Sequence, residues 1–348
     1  MARVFLHIGA HKTGTTYLQN LFHLNRKRLE EEGIFYPDIG PNTAHHALAR
    51  SWIDMPDVPD SFYGDAGPDG LWQQLIDRHV GTDDTLFLSA ENFSRARPQG
   101  IDWVDLARRL SVFDEVRIIY TMRSQVEMVQ ALWLQLAKTS RVIDLPACAR
   151  TAIDERRVVG VVIDHYAVYC NLRRGFEPEQ IHLLDYHQIR RAPGGIGQVF
   201  LDLLGSRQRA ESFQQPPRED ANISPDPLAY WVATQIAGKA KPGPKLEAIT
   251  TELIGSANRP TTLLSRTEYK RIDQRYAAGN AHMAETVQPT QPGFRFAQPE
   301  PPDNLLYRDD ISPSMWIRIA AALYDPERDA APTPAPTLLA QLRERLSR

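Results

Sequence analysis

Residues 3–16 read RVFLHIGAHKTGTT, and the fold follows from how that stretch is parsed. Residues 3–9 (RVFLHIG) are a short apolar run rich in β-formers, the composition of a strand buried on both faces. The run breaks into residues 10–16 (AHKTGTT), and a helical pattern follows with Leu18, Leu21, Phe22 and Leu29 on one face. Strand, short loop and helix in that order open an α/β unit. A helix N-terminus presents unpaired N–H groups and the positive end of the helix dipole, a geometry that suits phosphate or sulfate. Gly14 allows the backbone to approach an anion closely, Thr13, Thr15 and Thr16 add hydroxyl donors, and Lys12 adds a point charge.

Two further apolar runs read as buried strands. Residues 85–88 (TLFL) lead into Ser89, Ala90, Glu91 and Asn92, and residues 116–120 (VRIIY) lead into Thr121, Met122, Arg123 and Ser124. After the second comes an amphipathic helix with Val126, Val129, Trp133 and Leu136 on one face. His165, Tyr169, Leu172 and Phe176 mark another helix, and residues 181–186 (IHLLDY) another strand. Alternation through about residue 190 predicts a P-loop-like three-layer α/β fold, a central parallel sheet with helices on both faces.

From Gly194 the character changes. Residues 213–226, 240–245 and 288–304 are rich in Pro and polar residues and read as loops. Helices are predicted at 230–236 and 266–287, and from Ser312-Pro313, where a capping Ser precedes Pro in the first turn. That last helix carries Met315, Trp316, Ile319 and Leu323 on its apolar face. A spacer, AAPTPAPT, precedes a short helix with Leu338, Leu342 and Leu346 on one seam, expected to dock on the body or on a second subunit. The expected division is an α/β core over 1–210 and a helical, loop-rich extension over 211–348 that packs on the core and covers its cleft.

The bulk composition narrows the class. With 348 residues, 42% hydrophobic and 24% charged, the chain reads as a soluble globular protein. A net charge of −3 argues against a broad electrostatic grip on nucleic acid or anionic lipid, while leaving room for a local basic pocket. Of 40 basic residues only seven are Lys, so a Lys inside a tight loop is not casual decoration. Cys148 and Cys170 cannot build a disulfide framework, sit in no metal-ligand spacing, and read as reduced, buried thiols. The N-terminus has no signal-peptide pattern and no stretch approaches the length of a membrane span, so a cytoplasmic location is expected.

A nucleotide triphosphate loop requires Gly-x4-Gly-Lys-Ser/Thr. Gly9 and Gly14 have that spacing, but Thr15 stands at the Lys position and Lys12 lies two residues before Gly14. Neither the strand at 85–88 nor that at 116–120 leads directly into an Asp to hold Mg²⁺. The segment HIGAHKTGTTYLQ instead resembles the 5′-phosphosulfate-binding loop of sulfotransferases that use 3′-phosphoadenosine 5′-phosphosulfate (PAPS), in the Lys-Thr-Gly-Thr-Thr form of bacterial and carbohydrate-directed members. The resemblance implies transfer of a sulfuryl group from PAPS to an acceptor hydroxyl, release of 3′-phosphoadenosine 5′-phosphate, and no metal. It puts Lys12 on the phosphosulfate bridge, and His11, Thr13, Gly14, Thr15 and Thr16 around the 5′-phosphate.

The family's second landmark is an Arg at the end of a central strand with a Ser eight residues later, both on the 3′-phosphate. VRIIYTMRSQVEMVQALWLQ matches in setting, with Arg123 on the Arg and Ala131 where the Ser is expected. Ser124, Gln130 or a backbone N–H are the candidates to replace that hydroxyl. The family's distal Arg-Lys-Gly element has only a weak counterpart near residues 263–266 and Lys270. Resemblance is good over 3–23 and 116–136, looser over 164–186, and slight beyond about 190.

An acceptor hydroxyl has a high pKa, so a base is expected. Glu91, in Leu88-Ser89-Ala90-Glu91, resembles the family's Ser-x-Glu segment and equally reads as a helix-capping carboxylate. His46, of the His45-His46 pair, is the second candidate, since an imidazole titrates near neutrality; such pairs also serve structure. His7, inside a strand, reads as core. Trp52, Trp72 or Trp133 are candidates to stack on a sugar or phenol, with Trp133 better explained by packing. The loop form leans toward a carbohydrate or glycoconjugate acceptor. Two other readings stay open: a Mg-ATP-dependent P-loop kinase, and a non-catalytic nucleotide-binding protein of the same fold.

Overall fold

A computed structural model of the chain describes residues 1–55, 57–95, 100–139, 144–217, 225–238, 241–255, 259–296 and 299–324. The opening run forms β1 (Arg3–His7), followed by α1 (Thr15–Leu24), α2 (Arg26–Glu30), β2 (Ile34–Phe35), α3 (Gly67–His79) and β3 (Thr85–Ser89). Next come α4 (Trp103–Leu110), β4 (Glu115–Met122), α5 (Gln125–Lys138) and α6 (Leu145–Asp154). A small hairpin, β5 (Arg157–Val158) and β6 (Val161–Val162), precedes α7 (His165–Leu172), β7 (Ile181–Asp185), α8 (Tyr186–Arg191) and α9 (Gly195–Leu204). The C-terminal region is helical: α10 (Pro227–Ala237), α11 (Pro244–Leu253), α12 (Arg266–Thr286) and α13 (Pro313–Leu323). No described helix is long and apolar enough to cross a membrane.

Five strands run parallel in the order β2-β3-β1-β4-β7. The chain leaves β1 toward β2 and β3, then crosses β1 to reach β4 and β7. The connections after β1 and β4 therefore run in opposite directions, and a crevice opens between them at the carboxyl ends of the strands. Alternation along the strands feeds two layers. Phe5, Phe87 and Ile119 face α1 and α9, against Leu18, Phe22 and Phe200. Val4, Leu6, Leu88, Ile118 and Tyr120 face the opposite layer, where α5 contributes Val126, Val129 and Trp133 and α12 contributes Ile272, Tyr276 and Met283. Phe22 and Phe87 are fully buried, so truncating either to Ala costs roughly 3–5 kcal/mol. α10, α11 and α13 share a smaller core built on Leu228, Val232, Ile254 and Ile319.

Several details depart from the sequence pattern. The single helix expected through Leu29 is broken at Asn25, whose side-chain amide donates to the Leu21 carbonyl at 2.8 Å and to the Gln214 carbonyl at 2.9 Å. Its Oδ1 accepts the Gln214 N–H at 2.9 Å, so a distant segment docks where the helix would continue. Cys148 is buried as expected, but Cys170 lies on the exposed side of α7. The short β2, the β5–β6 hairpin and α9 carry too few periodic residues, or begin on glycines, and leave no mark in the sequence pattern. The leucine seam at 338–346 lies outside the described residues.

Three buried histidines tie the sheet to its surroundings. His7 reaches across both neighbours of β1, 3.0 Å from Ser89 Oγ and 3.1 Å from Thr121 Oγ1, as a core role requires. His45 accepts the Ser89 N–H on Nδ1 at 2.9 Å, so its Nε2–H donates to the Pro37 carbonyl at 2.8 Å. His165 lies 2.8 Å from the Tyr120 hydroxyl through Nδ1 and 2.7 Å from the Arg123 carbonyl through Nε2. Burial is the main cause that lowers each of these pKa values from 6.5 to about 4. The unfolded chain thus binds more protons than the folded one between those values, and stability rises with pH across that window. It is fully present above pH 6.5 and is lost as the pH falls toward about 4. Urea midpoints measured between about pH 7 and 5, above the range where carboxylates titrate, should fall steadily. A flat profile there would mean that these imidazoles are not held neutral.

Candidate functional site

Helix α1 starts from Gly14, at φ 76° and ψ 15°, and no side chain caps its N-terminus. The N–H groups of its first turn therefore point into the crevice without an intrahelical partner. A Cβ on Gly14 would lie 2.7 Å from Ile196 Cδ1, and one on Gly9 would lie 2.8 Å from His7 Nε2. Both glycines are thus demanded by close approach, and Gly14 by its left-handed backbone as well. Lys12 also adopts a left-handed conformation, φ 67°, uncommon for a residue with a side chain. The Thr13 hydroxyl donates to the Ala10 carbonyl at 2.6 Å, so it braces the loop from within. Thr15 is buried and Thr16 exposed, at the first two positions of α1.

The loop is pinned beside β4. The Ile8 and Ala10 N–H groups donate to the carbonyls of Ile119 and Thr121 at 2.9 and 2.8 Å, which extends the β1–β4 pairing. Arg123 then closes the crevice, with Nη1 donating to the Lys12 carbonyl at 3.0 Å and Nε to Glu127 at 2.9 Å. Its guanidinium stands over the Tyr186 ring, 5.3 Å from the centroid. Burial, then Lys138 and Arg123, hold the Lys12 ammonium below the usual lysine range, with Glu91 opposing them.

A cavity of about 260 Å³ continues along the ends of β4 and β7, bordered by Arg123, Ser124, Asp185, Gln188, Arg295 and Phe296. Ala131 is buried in α5, and Gln130 is committed elsewhere, accepting the Leu263 N–H at 2.9 Å. Residues 263–266 do not reach the crevice chemistry: Leu263 and Leu264 are buried, Ser265 caps α12, and Arg266 pairs with Asp310. Arg295 is the cation that arrives instead, together with Phe296. Both sit in the Pro- and Gln-rich stretch 288–304, where no periodicity marks them.

On the other side of the loop, Glu91, His46 and His11 gather. The turn Glu91–Ser94 follows β3, and His46 begins a second short turn that His45 anchors to Ser89. His46 Nε2 lies 3.7 Å from Glu91 Oε2, and Gln19 from α1 donates to the same oxygen at 3.2 Å. Gln19, buried and also close to Ser89, gave no sign in the sequence beyond its place one turn into α1. Burial pushes the Glu91 carboxyl up; His46, His11, its own backbone N–H and Gln19 pull it down by more, to below the usual range. Burial lowers His46 despite Glu91, and takes His11 to about 4. His11 Nε2 and His46 Nδ1 are buried and have no hydrogen-bond partner among the described residues, two open positions beside one carboxylate. The tryptophans are not in the crevice. Trp72 and Trp133 are buried, and Trp52 stacks among Trp72, Phe93 and Arg109 while donating to Asp105 at 3.0 Å.

The arrangement defines an α/β protein with an uncapped helix start and a lysine-bearing loop at the end of its central strand. No protein-family model and no curated protein matches the chain. Among solved structures it is similar to a sulfotransferase from Alicyclobacillus acidocaldarius, at 18% identity over 71% of this chain and 94% of that one, TM-score 0.37. It is also similar to the sulfotransferase domain from the curacin biosynthetic pathway (14% identity, 78% and 96% covered, TM-score 0.40). A third is the sulfotransferase domain from the Synechococcus PCC 7002 olefin synthase (13%, 73% and 94%, TM-score 0.34). Likeness of this degree leaves function to be argued from the chain's own residues.

Two glycines separate the contributions at the loop. Gly81 has φ 82° with nothing near its Cβ position, whereas Gly14 has φ 76° with Ile196 at 2.7 Å. Gly81→Ala should cost about 1–2 kcal/mol of backbone strain, and Gly14→Ala measurably more by urea denaturation. Equal costs would mean that the loop is not held against α9.

Proposed function

We propose that the chain is a PAPS-dependent sulfotransferase that acts on a hydroxyl of a carbohydrate or glycoconjugate and releases 3′-phosphoadenosine 5′-phosphate. The observation that carries the reading is the uncapped start of α1 at Gly14, flanked by Lys12 and by the Arg123 guanidinium on the Lys12 carbonyl. Free N–H groups, a desolvated ammonium and two positions without a Cβ suit the phosphosulfate end of the donor. Lys12, Gly14, Thr15 and Thr16 would hold that end, with Thr13 and His11 shaping the loop. Arg123, Ser124 and Arg295, around the cavity at the ends of β4 and β7, would hold the 3′-phosphate. When bound, PAPS supplies a sulfuryl group already activated on a phosphate.

The chain's own residues then have distinct tasks. Fixed positive charge from Lys12 and the α1 N–H groups stabilises negative charge that builds at the loop, and does so without reorganising. Glu91, held by Gln19, accepts the proton of the acceptor hydroxyl, and neutral His46 beside it is the alternative base. The segments beyond residue 210, including Arg295 and Phe296, border the cleft and help to shape it for the acceptor.

A thermal-shift titration with 3′-phosphoadenosine 5′-phosphate, run beside ATP with and without Mg²⁺, tests the donor. At 100 times its dissociation constant the bisphosphate should stabilise the protein by about 2.7 kcal/mol without metal, and Lys12→Ala or Arg123→Ala should weaken the effect. Stabilisation only by ATP with Mg²⁺ would replace the reading with a kinase. Binding without any sulfated product from a broad acceptor panel would point to a non-catalytic nucleotide-binding protein.

The pH dependence tests the charges. Lys12 must be protonated and its pKa lies below 10.5, so kcat/KM should fall on the alkaline side before pH 10.5. In Lys12→Arg that limb should move up. Glu91→Gln should lower kcat by roughly 10²–10⁴-fold if Glu91 is the base, and His46→Asn should have the larger effect if His46 is.

A further inference from the structure

A different cavity, of about 290 Å³, adjoins the Glu91–Ser94 turn and takes no part in the scheme above. Ser94, Arg95, Trp103, Val162, Asn171 and Arg174 border it. Both arginines are exposed, and among the described residues neither forms an ion pair. That sets them apart from Arg123, Arg156 and Arg173 nearby, which pair with Glu127, Asp164 and Glu177. Two guanidinium groups with no acidic partner among the described residues thus border one cavity.

The cavity is joined to the transfer site through one short turn. The Ser94 hydroxyl donates to the Glu91 carbonyl at 2.8 Å, and the charge of Arg95 acts on both His11 and His46. The Arg95 backbone bridges to Val161, in the hairpin β5–β6. That hairpin turns through Val159 at φ 47°, a costly conformation for a β-branched residue. Its neighbour Val162 supplies an apolar edge to the cavity. Ser94 and Arg95, which border the cavity, thus lie three and four residues along the chain from Glu91.

Guanidinium groups pair with carboxylates through two parallel hydrogen bonds, which fixes orientation as well as charge. We propose that this cavity is a subsite for a carboxylate on the acceptor, and that the acceptor is an acidic sugar of the uronate type. Arg95 and Arg174 hold the carboxylate, and Asn171 and Ser94 complete the polar wall. The inference rests on the sulfuryl-transfer reading for the position of the hydroxyl, but the anion subsite itself does not depend on the donor.

Tetragalacturonate and its fully methyl-esterified form are suitable probes, titrated calorimetrically into the full chain with saturating 3′-phosphoadenosine 5′-phosphate. The acid should bind about tenfold or more tightly than the ester, as loss of a charge-assisted pair implies. Arg95→Gln and Arg174→Gln should each shrink that preference to about threefold or less. Arg271→Gln removes the same charge from an exposed position on α12 and should leave the preference intact. Equal affinity for acid and ester, no binding of either, or a preference untouched by both arginine variants would overturn the subsite. Bisphosphate binding is read separately by thermal shift. Its failure beside an intact acid preference would remove the donor reading alone, and its success with no preference would remove the subsite alone.

Discussion

The first turn of α1 has no side-chain cap, and much of the molecule is arranged around that open end. A buried helix start without a cap leaves N–H donors that must find either water or an anion. Here the helix begins directly off the central strand, on a left-handed glycine, so no Ser, Thr or Asp can occupy the capping position. Neighbouring elements then hold the open end in place. β4 pairs with the loop through Ile8 and Ala10, Arg123 grips the Lys12 carbonyl, and His165 in turn grips the Arg123 carbonyl. A chain of ordinary hydrogen bonds therefore keeps a high-energy surface rigid.

The electrostatic pattern is consistent with that constraint. Lys12 is desolvated with Lys138 and Arg123 close by, an arrangement that is costly when the loop is empty and relieved by a bound anion. The histidines near it are kept neutral by burial, so they add no further positive charge at ordinary pH. The one carboxylate in the cluster, Glu91, is ionised and held by Gln19. Acid and cation are thus placed on opposite sides of one loop, close enough to interact but without forming an ion pair that would cancel both.

Parts of this were legible from residues alone. β1, β3, β4, β7, α5, α12 and α13 follow from apolar periodicity, because each buries a face or a whole strand. The loop at 9–16 was legible because glycine spacing, hydroxyls and a lysine occur together after a strand. Asn25, by contrast, looks like any polar helix position until Gln214 arrives from nearly two hundred residues away. Gln19, Arg295 and Phe296 share that problem. Gln19 is a polar residue in an otherwise regular helix, and the other two lie in a loop whose path depends on Leu183, which Gln291 holds at 2.8 Å.

By itself the sequence determined which segments must be buried and where an anion could be met, because periodicity and glycine placement are local properties. Tertiary structure alone decided what surrounds the loop at 9–16. It buried Trp72, turned His45 inward and His46 toward Glu91, and put Arg95 and Arg174, with no ion pair among the described residues, beside the Glu91 turn. Those outcomes depend on strand order and on contacts between residues far apart in the chain. A side chain's pKa, partner and exposure are set by its neighbours in space, and the sequence names the neighbours only along the chain.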